Sequence, residues 1–158
     1  MSLLLVRHAR AGSRKYWKGP DIERPLSKKG WRQAEGLVDM LAGYPVKRIL
    51  SSPYVRCVQT VAPLADKLDL PIEQYLELTE GSAAEEVLAL LRRAAGTTEV
   101  WCTHGDIVLI VLDAIVAQDG VRLKKRDKRY AKGSFWELEQ DTTGQVIKAT
   151  YFPAPDVG

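Results

Sequence analysis

The chain has 158 residues, of which 46% are hydrophobic and 27% charged, with a net charge of +3. This suits one globular domain over residues 1–158 with a full-sized core, and the charge is too small to argue for nucleic acid by itself. The apolar run Leu3–Val6 is too short for a signal peptide, and Asp113 breaks the longest apolar region before it reaches a membrane span. A cytoplasmic protein without a membrane partner is therefore expected.

In chain order, Leu3 to Arg7 reads as a buried strand ending at His8. A polar loop follows over 9–26, punctuated by Gly12, Gly19, Pro20 and Pro25. Ser27 suits a helix N-cap, and Trp31, Ala34, Leu37, Val38 and Leu41 then recur at helical spacing until Gly43 and Pro45. Val46 to Leu50 predicts a short strand. Pro53 suits a first helical turn, Val55, Val58, Val61, Ala62, Ala65 and Leu68 continue one apolar face, and Pro63 should bend that helix.

Ile72 to Leu76 alternates like a strand. A helix from Ser82 presents Val87, Leu88 and Leu91 on one side. Thr98 to Thr103 is a strand ending at His104, and Asp106 to Gln118 is an apolar helix covered on most sides. Ser134–Glu139 and Val146–Tyr151 predict an antiparallel pair turning at Thr143-Gly144, and Pro153 to Gly158 should fray. Strands alternating with helices imply an α/β three-layer sandwich: a mainly parallel sheet, helices on both faces, and an antiparallel edge.

His8 and His104 are the chain's two histidines, and each ends an apolar strand before a small residue. Ligands of open α/β sheets bind outside the carboxyl ends of the strands, so both imidazoles should enter one crevice. Arg7, and Arg56 at the end of Ser51-Ser52-Pro53-Tyr54-Val55-Arg56, bring two guanidiniums. Such a set can hold a phosphate while one histidine attacks phosphorus. His8 is the expected nucleophile, with His104 stabilising an equatorial oxygen.

An alkoxide leaving group needs a proton. Glu77 and Glu80 follow the third strand, and Glu77, nearer its end, is preferred. Arg14, Lys132 and Ser134 are candidate substrate contacts. The basic run of Arg122, Lys124, Lys125, Arg126, Lys128, Arg129 and Lys132 suits either a solvated loop or the rim of the site. Tyr16 and Trp17 are expected to pack rather than to form a platform for a base. Cys57 and Cys102 read as buried thiols in a reducing compartment. Cys102-x-His104 falls short of the four ligands a structural zinc site wants. No metal or other cofactor is expected, because the arginines bring the positive charge.

Leu5-Val6-Arg7-His8-Ala9, Ser51-Ser52-Pro53-Tyr54-Val55-Arg56-Cys57-Val58-Gln59-Thr60 and Thr103-His104-Gly105 resemble, in order and spacing, the three motifs of the histidine phosphatase superfamily, which includes the phosphoglycerate mutases. Ala9 stands where the family usually has glycine. The resemblance implies phosphorylation on His8 and phosphate binding by Arg7, Arg56 and His104. Asp21-Ile22-Glu23-Arg24-Pro25-Leu26-Ser27-Lys28-Lys29-Gly30 with Gln33-Ala34 is similar to the short SixA-type phosphohistidine phosphatases. Lys132-Gly133-Ser134-Phe135-Trp136 resembles the phosphatase-like domain that follows Nudix domains, although no Nudix segment is present. The short stretch from Glu77 to His104 leaves no room for a cap, so an open site taking a phosphoprotein or a nucleotide is expected rather than a mutase. A catalytically silent phospholigand-binding module is the alternative. A nucleic-acid-binding domain is the least supported, since no reading module is present. Oligomeric state is not readable from the chain.

Overall fold

The computed structural model describes residues 1–93 and 96–158. Six strands, β1 (Ser2–Arg7), β2 (Val46–Ser51), β3 (Ile72–Gln74), β4 (Thr98–Thr103), β5 (Phe135–Gln140) and β6 (Val146–Phe152), form one sheet in the order β3-β2-β4-β1-β5-β6. The first four in that order are parallel, while β5 runs antiparallel to β1 and to β6. The antiparallel edge is thus the carboxyl-terminal pair, as expected.

Among the described residues four α-helices cover the sheet: α1 (Lys28–Leu41), α2 (Val55–Leu68), α3 (Ala84–Arg93) and α4 (Gly105–Asp119). Side chains alternate across a strand, and that alternation divides the core. Leu3 and Leu5 of β1, with Trp101 of β4, pack with α3 and α4. Leu4 and Val6, with Val100 and Cys102, pack with α1 and α2. Each fully buried aliphatic side chain contributes about 1.5–3 kcal/mol of transfer free energy. Central strands buried on both faces must be apolar throughout, which is why β1 and β4 read as continuous apolar runs.

Local chemistry sets the helix starts. Ser27 Oγ accepts the Gly30 N–H at 3.1 Å, capping α1. Gly30 also permits a close approach: a Cβ there would lie 2.0 Å from the Arg10 carbonyl oxygen, so only glycine lets α1 seat against the loop after β1. Three expectations shift. β3 stops at Gln74, and Leu76–Leu78 instead forms a 3-10 turn that buries Leu78. Helix α2 begins at Val55, two residues beyond Pro53. Pro155 lies against α1, where a Cβ on Gly36 would come within 2.7 Å of it, so part of the tail expected to fray is packed. Among the described residues no helix is long and apolar enough to cross a membrane.

Candidate active site

The sheet register brings the two histidines together. Arg7 of β1 pairs with Thr103 of β4, so the next residue of each strand is a histidine. The His8 N–H donates to the Thr103 carbonyl at 3.0 Å, and the two rings stand 5.5 Å apart, edge to face. Strand β2 ends alongside, its Ser52 N–H bonded to the Cys102 carbonyl at 2.9 Å, and hands on to α2, which carries Arg56. Three parallel strands thus deliver their carboxyl ends, and four charged or titratable side chains, to one place.

His8 Nδ1 lies 2.8 Å from the Ala9 carbonyl oxygen. A carbonyl only accepts, so Nδ1 carries the proton and Nε2 keeps its lone pair. Burial pushes His8 down to about 3, with His104, Arg56 and Arg7 acting in the same direction against the Ala9 carbonyl. His8 is therefore neutral near pH 7. The strand end behind it is fixed. Thr60 Oγ1 accepts the Ala9 N–H at 2.9 Å while donating to the Arg56 carbonyl, and the Gly133 N–H bonds the Arg7 and His8 carbonyls.

His104 is 1% exposed, and its Nε2 lies 2.9 Å from Ser52 Oγ. Arg56, equally buried, donates from Nη1 to the Asp21 carbonyl and from Nη2 to Asp21 Oδ2 at 3.1 Å, with its guanidinium over the Tyr54 ring. Arg7 donates from Nη1 to the Tyr130 carbonyl at 2.8 Å. Burial lowers the Arg7 guanidinium below its ordinary value, opposed by Tyr130, Asp106 and Glu80. Among the described residues, Arg7 Nε, Arg56 Nε and His104 Nδ1 are buried polar atoms without a partner. Such orphans are rare and costly unless a ligand satisfies them. Three of them belong to one constellation, a set of donors that suits an oxyanion. Among the described residues no group of three or more His, Cys, Asp or Glu side chains is placed to hold a metal ion.

Residues 3–86 match the family model of the histidine phosphatase superfamily, branch 1. An 8-oxo-(d)GTP phosphatase of Mycolicibacterium smegmatis is 36% identical over 160 residues, covering 98% of this chain and 49% of that protein. The chain belongs to the histidine phosphatase superfamily. It spans about half the length of that curated relative. Two solved structures share the superfamily fold. The protein histidine phosphatase SixA complexed with tungstate matches with TM-score 0.76 and 22% identity over 98% of this chain and 96% of its own. The alpha-ribazole phosphatase from Shigella flexneri matches with TM-score 0.70 and 14% identity over 94% of this chain and 95% of its own.

Within this histidine phosphatase fold the structure separates the two candidate acids. The Glu77 carboxylate pairs with Arg93 at 3.8 Å and lines a groove with Leu76, Glu86 and Ala89 of the 3-10 turn and α3. Glu80, with Asp106, acts on Arg7. Asp106 Oδ2 accepts the Gly81 N–H at 2.8 Å and so ties the Glu80-Gly81 turn to the start of α4. Ser134 is buried, and its hydroxyl donates to the Ala131 carbonyl, so it serves the strand end. Arg14 and Lys132 line a separate pocket with Arg10 and Arg24 of the loop that follows His8.

The basic run divides. Lys128 pairs with Asp113 of α4 at 2.7 Å and Arg129 covers the Tyr151 ring, whereas the Tyr130 carbonyl meets Arg7 and Lys132 lines the separate pocket. Tyr16 is 75% exposed and Trp17 37%, so neither is the core anchor expected. Sequence reasoning gave no role to Asp21, Ser52 or Tyr54. Asp21 and Ser52 lie inside stretches that resemble the family, which was the available signal. Thr60, at the end of the second such stretch, fixes the backbone beside His8.

Proposed function

We propose that this chain is a phosphatase that hydrolyses a phosphomonoester or phosphohistidine through a phosphoryl group carried on His8 Nε2. The observation that carries this reading is the neutral, oriented His8 facing three unpartnered donors of Arg7, Arg56 and His104. In the first half-reaction Nε2 attacks phosphorus, the N–P bond forms and the P–O bond to the leaving group breaks. The guanidiniums and His104 hold the developing charge. In the second, water attacks phosphorus, the N–P bond breaks and His8 is restored. Superfamily membership supports the covalent step. The relative named an 8-oxo-(d)GTP phosphatase supports a nucleotide substrate, and the SixA-like fold supports a phosphoprotein.

Glu80 is the proton donor in this reading, because it shares the neighbourhood of Arg7, whereas Glu77 lies in the groove beside Arg93. The carboxyl gives its proton to the leaving oxygen, and the carboxylate then takes one from the attacking water. A nitrophenolate leaves without help and an alkoxide does not. Glu80→Gln is therefore expected to slow an alkyl phosphate on the order of 100-fold or more while sparing p-nitrophenyl phosphate. Equal losses on both, or a larger alkyl-specific loss in Glu77→Gln, would count against Glu80.

Hydrolysis of p-nitrophenyl phosphate is the direct test of the phosphatase reading, and no turnover by the folded protein would refute it. An NMR titration of the His8 imidazole tests its preparation. Nε2 should stay unprotonated down to about pH 3 rather than titrate near 6.5. The unfolded chain takes up that proton near pH 6.5, whereas the folded one refuses it until about 3. This residue's contribution therefore lowers stability as pH falls through that window. A midpoint near 6.5 would contradict the burial argument.

Gly105 sets the space for Arg7. A Cβ there would lie 3.0 Å from Arg7 Cζ and 3.0 Å from Tyr130 Cδ2. Gly105→Ala adds helix propensity to α4 but displaces the guanidinium. A misplacement of about 1 Å costs on the order of 100-fold in rate, and the shift required here is smaller. The expected result is a fall in kcat/KM below that order with unaltered helical circular dichroism. Retention of full activity would show that Arg7's placement is not critical.

A further inference from the structure

We propose that the cationic pocket beside His8 is a second phosphate subsite, fitting the enzyme to a condensed phosphate such as a nucleoside diphosphate whose terminal phosphoryl group reaches His8. The inference rests on the reading of His8 as phosphoryl acceptor and adds the group that lies beyond the scissile bond.

The pocket, about 470 Å³, is lined by Arg10, Ser13, Arg14, Arg24, Ser27 and Lys132, among others. Its cations come from separate parts of the chain: the loop after β1, the turn before α1, and the segment before β5. Among the described residues Arg10, Arg14 and Lys132 form no ion pair. Arg24 is 6% exposed, its Nε held by Asp21 Oδ1 at 2.9 Å and its Nη1 by the Gly12 carbonyl at 2.8 Å. Burial, together with the charges of Arg7, Arg24, Arg10 and Arg14, pushes the Lys132 ammonium below the usual lysine range. Cations that repel one another in the free protein favour a multiply charged anion at their centre. A phosphate group brings more charge and more acceptor oxygens than a carboxylate.

The walls are anchored. The Arg10 N–H donates to Gln33 Oε1 at 3.0 Å, the Ser27 N–H to the Arg10 carbonyl at 3.0 Å, and the Gly12 N–H to the Pro25 carbonyl at 2.9 Å. The same elements join the pocket to the phosphoryl site. Arg10 follows His8 by two residues, Gly133 beside Lys132 bonds the Arg7 and His8 carbonyls, and Asp21 bridges Arg24 to Arg56. A substrate phosphoryl on His8 thus has its next phosphate directed toward a set of unpaired cations. When the terminal P–O bond breaks, the shortened phosphate leaves as an anion held in the pocket.

The test compares inorganic pyrophosphate and orthophosphate as inhibitors of p-nitrophenyl phosphate hydrolysis, without added metal. Each charge-assisted contact is worth about tenfold in affinity. Pyrophosphate should inhibit at about tenfold or more lower concentration than orthophosphate. The double variant Arg14→Ala/Lys132→Ala should shrink that ratio below about threefold. Direct phosphate release from a nucleoside diphosphate, divided by turnover of the aryl ester, should fall in parallel. A wild-type ratio near one, or a ratio the double variant leaves in place, overturns the subsite. Turnover of the aryl ester that survives His8→Ala overturns the phosphatase reading instead, so the two failures are told apart.

Discussion

His8→Ala is expected to lower kcat for aryl phosphate hydrolysis on the order of 10⁴-fold or more, the scale on which loss of a covalent nucleophile is felt. The side chain is held by the strand register, by the Ala9 carbonyl at Nδ1 and by Thr60 behind the backbone. His104 cannot take its place without new geometry. His104 Nε2 is engaged with Ser52 Oγ and lies 3.6 Å from Cys57 Sγ. The variant should fold, because a neutral buried imidazole is being exchanged for a small apolar group. Orthophosphate should still bind, since Arg7, Arg56 and His104 remain. Steady-state rates with a calorimetric phosphate titration check both points. A loss of less than about tenfold would place the chemistry elsewhere.

Arg56→Ala carries the second large effect. Removing one preorganised donor costs on the order of 100- to 1,000-fold in kcat. Arg56 contributes more than a donor, because its fork holds both the Asp21 carbonyl and carboxylate while its face covers Tyr54. Asp21 in turn holds Arg24. Stability should therefore fall as well, by about 1–3 kcal/mol, toward the lower end because Asp21 is partly exposed. Arg56→Lys should recover little activity, since an ammonium cannot reproduce the bidentate fork. Urea unfolding alongside kcat and KM separates the two losses. Full recovery by lysine would show that only charge matters at this position.

The strand ends were legible because burial on both faces leaves an unmistakable apolar run. β4 ends at Thr103 as its composition implies, and α1 starts at the Ser27 cap. The convergence of His8 and His104 was legible for the same reason, as two strand ends of one parallel sheet share a crevice. What the sequence concealed depends on contacts between distant segments. The bridge from Asp21 to both Arg56 and Arg24 joins a loop to a helix, and no local pattern marks it. Leu76–Leu78 coils into a 3-10 turn and Glu77 within it lies 3.8 Å from Arg93, a pairing that no local pattern marks. The basic run looked uniform, yet Lys128 and Arg129 brace α4 and β6 while the Tyr130 carbonyl meets Arg7 and Lys132 lines the neighbouring pocket.

One rival nucleophile lies within the same constellation. Cys57 is buried; burial raises its thiol, but contacts with Cys102, His104 and Ser52 outweigh that and lower it below the ordinary thiol value. Rapid quenching of the enzyme with labelled substrate, followed by mapping of the phosphorylated residue, decides between them. The expected result is a phosphoryl group on the Nε2 nitrogen of His8, formed fast enough to lie on the path of turnover. A label on Cys57 or His104, or turnover with no covalent phosphoenzyme, would contradict it.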